Sequence, residues 1–317
     1  MSDRTPSIDD VTNRVQAIRS AVRRRIVGQE RVVDDVLACM LCDGNALLES
    51  TPGLGKTLLV RTLAEATGLS FSRIQNTPDL MPSDVIGTEM VRETDSGRRF
   101  SFEKGPVFAN LVLSDEINRA TPKTQSALLE AMEEGQVTAG NETYDLPEPF
   151  FVLATQNPID QEGTYPLPEA QSDRFLLKVV VDYPSADAER EIVDRYTGDV
   201  DASVSVDEQV SARELRRMQR LTHRVPIADD VRDLAVGLVR ATRAHEDLEY
   251  GASPRASMSL VRAAKARALM EGRTHVDAAD VTAMAKPVLR HRIVVDFRAE
   301  REGATPDDVI ERLVTER

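Results

Sequence analysis

The apolar positions of this chain fall into two regimes. Up to about residue 183, short apolar runs of strand length alternate with segments whose apolar residues recur every three or four positions, the pattern of strands alternating with helices in a parallel sheet. Residues 46–49, 71–75, 111–116 and 150–155 read as strands. The runs at 111–113 and 150–154 are apolar without alternation, as strands buried on both faces are. Helical spacing appears at 14–25, through Val32, Val33, Val36, Leu37, Met40 and Leu41, at 56–67 with Leu58, Leu59, Leu63 and Ala64, and at 123–134. Gly68 is placed to cap the third of these. The segment 76–105 is too long for a plain connection and holds a hairpin pattern over 88–102 that turns at Asp95-Ser96-Gly97. A second hairpin joins 136–138 to 143–145 around Gly140-Asn141. Beyond Asp182-Tyr183-Pro184 the alternation stops and helices dominate, at 186–196, 212–225, 229–245, 254–271 and 278–289. The expected organisation is an α/β core over 1–183, with an insertion hairpin at about 76–105, and a smaller all-helical domain over 184–317.

Composition narrows the class. With 317 residues and 41% hydrophobic content the chain can build a core without staples. No run of about eighteen apolar residues appears, and the polar start Met1-Ser2-Asp3-Arg4-Thr5-Pro6 has no apolar stretch behind it, so a cytoplasmic protein without membrane insertion is expected. A net charge of −13 argues against a large nucleic-acid footprint. Only six of the 40 basic residues are lysine, so the acidic, arginine-rich balance also fits a salt-rich cytosol or GC-rich coding. Cys39 and Cys42 form a C-x-x-C without a second pair or a nearby histidine, and they read as packed thiols on a helix rather than a zinc or redox site. The four histidines are scattered.

Chemistry enters at Ser50-Thr51-Pro52-Gly53-Leu54-Gly55-Lys56-Thr57, directly after the first strand. A glycine-rich turn from strand to helix aims several backbone N–H groups at one point, where the helix terminus also favours negative charge. Lys56 would reach the β- and γ-phosphates of a nucleotide, and the Thr57 hydroxyl would bind Mg²⁺. The first glycine of the pattern is Ser50 here. Taken alone, such a loop is also an ordinary turn, and an acidic pair at a strand end is also an ordinary surface. Together they argue for more: Asp115 and Glu116 close a buried strand, where one carboxylate can face a metal and the other can polarise the attacking water. Asn157 closes the strand at 150–155, in reach of a γ-phosphate. Ile26-Val27-Gly28-Gln29-Glu30 suits a segment lying against a nucleotide base.

These residues, with the segments 115–120, 123–132, 154–158, 167–171 and 253–256, resemble the MoxR family of AAA+ ATPases over nearly the whole chain. The insertion resembles the hairpin of the helix-2-insert branch. The resemblance implies a P-loop core with a parallel sheet flanked by helices plus a helical lid. It also implies ATP and Mg²⁺ as ligands, with Val27, Gly28, Pro52, Gly53, Leu54, Gly55, Lys56 and Thr57 around the nucleotide and Thr57 and Asp115 at the metal. Glu116 is implied as the catalytic base, Asn157 as sensor 1, Arg174 as an arginine finger offered to a neighbouring subunit, and Arg255 as sensor 2 on the lid. Asn76 and Ser172 depart from the family pattern, which usually has an aromatic residue and a leucine there.

The function implied is a hexameric, Mg²⁺-dependent ATPase that remodels a partner protein, one with a von Willebrand factor A domain. Two other readings stand beside it. A DNA-stimulated motor rests on Arg92, Arg98, Arg99 and Lys104 of the hairpin, which are interspersed with Glu89, Glu93, Asp95 and Glu103. A nucleotide-binding scaffold with little turnover rests on Ser50.

Overall fold

Strand order decides where the chemistry collects. In the computed structural model, which describes residues 6–94, 97–140, 142–158, 164–197 and 205–316, the strands are β1 (Ala46–Glu49), β2 (Phe71–Gln75), β3 (Gly87–Thr94), β4 (Gly97–Lys104), β5 (Leu111–Asp115), β6 (Gln136–Ala139), β7 (Glu142–Asp145), β8 (Phe151–Gln156) and β9 (Leu177–Val180). Five of them form one parallel sheet in the order β2-β5-β8-β1-β9. The chain starts at β1, fills one side, and crosses to β9 on the other, so β1 is the switch point beside which a crevice opens at the carboxyl ends. β9 is not among the strands expected from the sequence. Lys178 interrupts its apolar run, and only the fold supplies the partner that makes this tolerable, Glu49 at 2.8 Å on the neighbouring strand.

The helices are α1 (Ile8–Arg23), α2 (Glu30–Leu41), α3 (Lys56–Ala66), α4 (Pro82–Ile86), α5 (Pro122–Glu134), α6 (Glu169–Ser172), α7 (Ala186–Thr197), α8 (Ala212–Arg224), α9 (Asp229–Thr242), α10 (Pro254–Met270), α11 (Ala278–Leu289), α12 (Phe297–Arg301) and α13 (Pro306–Thr315). α1 begins six residues before the expected start, because Ser7 and Asp10 form a reciprocal capping box. Among the described residues the C-terminal region is mostly helical, with a short ribbon of β10 (Leu248–Tyr250) against β11 (Val294–Val295) and a single bridge between Ile227 and Val276.

Alternate residues of the central strands feed two cores. Leu111, Leu113, Phe151 and Leu153 join α1, α2, α3 and the C-terminal helices in one apolar cluster, whereas Val112, Val152 and Ala154 pack with Ile117, Leu128, Leu129 and Phe175 on the other face. The lid thus shares a core with one face of the sheet. Cys39 and Cys42 are free and buried in that core; burial drives the Cys42 thiol up to about 12 and lifts Cys39 well above its ordinary value, so both are inert packing groups.

The insertion is an antiparallel hairpin, β3 with β4, in register from Gly87↔Lys104 to Thr94↔Gly97. Its Phe102 stacks on Tyr144 of the second hairpin, β6 with β7, at 4.3 Å between ring centroids. The two hairpins therefore form one unit. Lys104 lies 4.9 Å over the Phe108 ring. The side chains of Arg92, Glu93, Arg98 and Arg99 and residue Asp95, on which the nucleic-acid reading draws, lie outside the described residues.

Candidate active site at the two edges of the sheet

The loop after β1 is held open by its backbone. Gly53 and Gly55 have φ of +88° and +72°, where a side chain is strained. A Cβ on either would meet nothing within 4 Å, so the space over the loop is free for a ligand. Gly55 leads into α3 without a side-chain cap, which leaves the first-turn N–H groups available to an anion. Ser50 shows why its missing glycine is tolerated: it is buried, and it is not among the described residues with positive φ. Its backbone N–H donates to Gln156 O at 3.2 Å. Its hydroxyl accepts from Lys56 Nζ at 2.6 Å, and Lys56 also donates to Thr51 O at 3.1 Å. Burial lowers the Lys56 pKa, while Asp115 and Glu116 act to raise it. Thr57 follows in the first turn of α3.

Asp115 and Glu116 stand at the same carboxyl edge, where the sheet order puts β5 beside β8. One hydroxyl organises both. Thr155 Oγ1 of β8 donates to Asp115 Oδ1 at 2.7 Å and accepts from the Glu116 N–H at 2.8 Å. Glu116 takes the left-handed conformation at φ +54°, ψ +53°, which is uncommon for a non-glycine residue and turns the chain sharply after the strand. Its carboxylate pairs with Arg119 at 2.9 Å, and Asp115 Oδ2 accepts from Arg73 of β2 at 2.6 Å. Asn76 braces the strand end, donating from Nδ2 to Ser114 Oγ and to Asp115 O. Asn157 follows β8 at the same edge.

Val27 is buried at the mouth of this crevice, and a Cβ on Gly28 would stand 2.7 Å from Ala188 Cβ of α7. Next to them Gln29 Nε2 donates to Leu54 O at 2.9 Å, tying this segment to the phosphate loop. The structure therefore brings together Val27, Gly28, Pro52, Gly53, Leu54, Gly55, Lys56, Thr57, Asp115, Glu116 and Asn157.

Arg174 and Arg255 lie elsewhere. Arg174 precedes β9, whose entry is fixed where the Leu176 N–H donates to Asn45 O at the amino edge of the sheet. Strands of four to six residues, ~13–20 Å at about 3.3 Å per residue, separate that edge from the phosphate loop. There Arg174 pairs with Glu133 at 3.0 Å, and Arg255, in the first turn of α10, pairs with the same carboxylate at 3.4 Å.

The comparisons with known proteins follow this division. Residues 45–177 match the model of the ATPase family associated with various cellular activities (AAA), and residues 240–313 match an AAA lid domain. The chain is 45% identical over 303 residues, covering 92% of it and 79% of the relative, to a protein named chaperone MoxR1 from Mycobacterium tuberculosis. The chain belongs to the MoxR family of AAA+ ATPases. A protein named MoxR from Methylorubrum extorquens is 32% identical, with 90% of each chain covered. The crystal structure of a protein assigned as an ATPase from Cytophaga hutchinsonii superposes with a TM-score of 0.90 at 40% identity, covering 97% of this chain and 95% of the other. As a MoxR-family protein it binds nucleotide and hydrolyses ATP in a chaperone-type role. Among the described residues no helix is long and apolar enough to cross a membrane.

Arg73 and Glu133 are not legible as site residues in the sequence, and Gln29 and Thr155 are legible only as members of the segments 26–30 and 154–158. Each acts through a neighbour that only the sheet order or the lid packing supplies. Arg119, within the Asp-Glu-Ile-Asn-Arg-Ala run, now has a partner in Glu116.

Proposed function

We propose that this protein is a Mg²⁺-dependent ATPase that works as a homo-oligomeric ring, hexameric by its family resemblance, and remodels a client protein that carries a von Willebrand factor A domain. One observation carries the oligomeric part: the charged and polar groups that ATP hydrolysis needs are split between opposite edges of the sheet. Lys56, Asp115, Glu116 and Asn157 share the carboxyl edge, and Arg174 and Arg255 share the amino edge with Glu133. A protomer cannot bring its own arginines to its own nucleotide, so a neighbour supplies them.

The residues fit MgATP. The glycine cradle is open, the first turn of α3 is uncapped, and Lys56 is a desolvated cation beside two carboxylates. Among the described residues no cluster of three or more His, Cys, Asp or Glu side chains forms a metal cage. That suits Mg²⁺, which takes one or two protein oxygens and completes its shell with phosphate and water; Thr57 and Asp115 would hold it. Bound there, Mg²⁺ would neutralise charge on the β- and γ-phosphates.

Lys56 exchanges its Ser50 and Thr51 partners for phosphate oxygens, and Arg73 leaves Asp115. Glu116 turns from Arg119 to orient and deprotonate water for in-line attack on the γ-phosphorus, the bond to the β,γ-bridging oxygen breaking so that ADP leaves, while Asn157 holds that water or the γ-phosphate. Arg174 and Arg255, reaching in from the next subunit, spread the developing charge over two planar forks. The same intact carboxylates and lysine speak against a scaffold without turnover, since Ser50 is accommodated.

Mixing tests the trans arrangement. Glu116→Gln and Arg174→Ala should each be inactive alone, whereas their mixture should recover turnover, because one lends its arginine to the other's intact base. No recovery, with Arg174→Ala active by itself, overturns the reading. For the client, a Glu116→Gln trap loaded with ATP should retain a von Willebrand factor A domain protein. Turnover strongly stimulated by single-stranded DNA would instead favour the motor.

A further inference from the structure

Glu133 lies in the last turn of α5, and its single carboxylate serves arginines from two separate parts of the chain. Oε2 lies 3.0 Å from the Arg174 guanidinium, and Oε1 lies 3.4 Å from that of Arg255. Behind them Asp173 pairs with Arg292 at 2.7 Å and, more loosely, with Arg255 at 3.9 Å. Three guanidiniums thus meet two carboxylates in direct ion pairs.

The two carboxylates differ in freedom. Asp173 is clamped by Arg292, which is almost wholly buried and also donates to Phe175 O at 2.6 Å. Glu133 is 39% exposed and borders an open cleft of about 490 Å³ that Glu130, Glu134, Gln136 and Gln171 also line. It has room to swing away; Asp173 does not.

We propose that Glu133 is a positioning residue that parks Arg174 and Arg255 on one carboxylate in the separated protomer, and that engagement of the neighbour's ATP exchanges this carboxylate for the γ-phosphate. The inference rests on the reading of both arginines as acting in trans. A phosphate offers more charge and three oxygens, enough to fork both guanidiniums, whereas the carboxylate gives each one oxygen. Ion pairs this exposed are weak, so the exchange runs forward once a neighbour presents its nucleotide. Glu133 then competes with ATP for the same two side chains. Its effect belongs in the apparent affinity for ATP and in the protein concentration that switches turnover on, and not in the chemical step.

Steady-state ATP hydrolysis across ATP and protein concentrations, in wild type, Glu133→Gln, Glu133→Asp and Arg174→Ala, decides the matter. The glutamine variant should lower both KM and the half-activating protein concentration about three- to tenfold, the range two weak ion pairs command, with kcat within about twofold. Aspartate, one methylene too short to span both arginines, should fall between. In an Arg255→Ala background, where one arginine is already unparked, the glutamine effect should shrink. An unchanged KM in Glu133→Gln, with Arg174→Ala inactive, overturns the parking role and leaves the trans reading standing. A fall in kcat at constant KM overturns it too, by making Glu133 an orienting partner. Full turnover by Arg174→Ala at every protein concentration removes the reading beneath it. Unchanged melting temperatures certify that each variant is folded.

Discussion

Thr155 shows how much one hydroxyl decides. It donates to the carboxylate of Asp115 and accepts from the backbone of Glu116, so it fixes the spacing between the two acids. Thr155→Val keeps the shape and removes both bonds, stranding a buried acceptor and an N–H. The expected result is a stability loss of ~1–3 kcal/mol and a fall in kcat of about tenfold or more for a base held off its line, read from a melting curve and an ATP turnover assay. Asp35, on α2, makes a prediction in pH. Burial lifts its pKa from near 3.8 to about 6, against the opposing pull of Arg31 and Arg290. A raised carboxyl favours the folded state while protonated, so its contribution is full below about pH 4 and is lost as pH rises through 6. Asp35→Asn should therefore be more stable than wild type at pH 7 by ~1–2 kcal/mol, the ~3 kcal/mol of such a rise discounted for partial exposure. The gap should shrink to about half by pH 5, as urea midpoints at the two pH values will show.

At the level of elements, the insertion hairpin is pinned at a root where two glycines meet. A Cβ on Gly105 would stand 2.4 Å from Val85 O and 2.5 Å from the Gly87 N–H, both backbone atoms with nowhere to go. Gly105→Ala should spread the root at a local cost of ~1–3 kcal/mol. Proteolysis within the hairpin should quicken severalfold, with ATP affinity within about threefold of wild type, because the phosphate loop touches none of these atoms. An unaltered digestion pattern would show that the root yields without opening. Most elements were legible in the sequence, since the unbroken apolar runs at 111–113 and 150–154 and the periodicity of α3, α5 and α11 each point to one structure. β9 was not, because Lys178 breaks its run and Glu49 on β1 restores it. The early start of α1 is not written in its apolar periodicity, because the capping box of Ser7 and Asp10 precedes it.

Across the whole molecule, Arg292 joins lid to core. It follows α11, is almost wholly buried, and binds Asp173 together with the carbonyls of Phe175 and Leu176. Arg292→Ala leaves a carboxylate and several carbonyls without their donor, and the expected loss is ~3–5 kcal/mol, visible as a melting temperature lower by several degrees. Concentration-dependent turnover should drop with it, because Asp173 also steadies Arg255. A melting curve like that of wild type would mean the lid is held by its apolar core alone. The sequence by itself determined the nucleotide loop, the paired acids, the alternation that makes a parallel sheet and the helical C-terminal region, because each is written in neighbouring residues or in a short period. Tertiary structure alone decided that Thr155 clasps Asp115 and Glu116, that Lys56 rests on Ser50, and that Arg174 and Arg255 share Glu133 at the far edge of the sheet. These are pairings between residues tens to more than a hundred positions apart, or choices among rotamers, and they arise only when strand order and lid packing bring the partners within hydrogen-bonding distance.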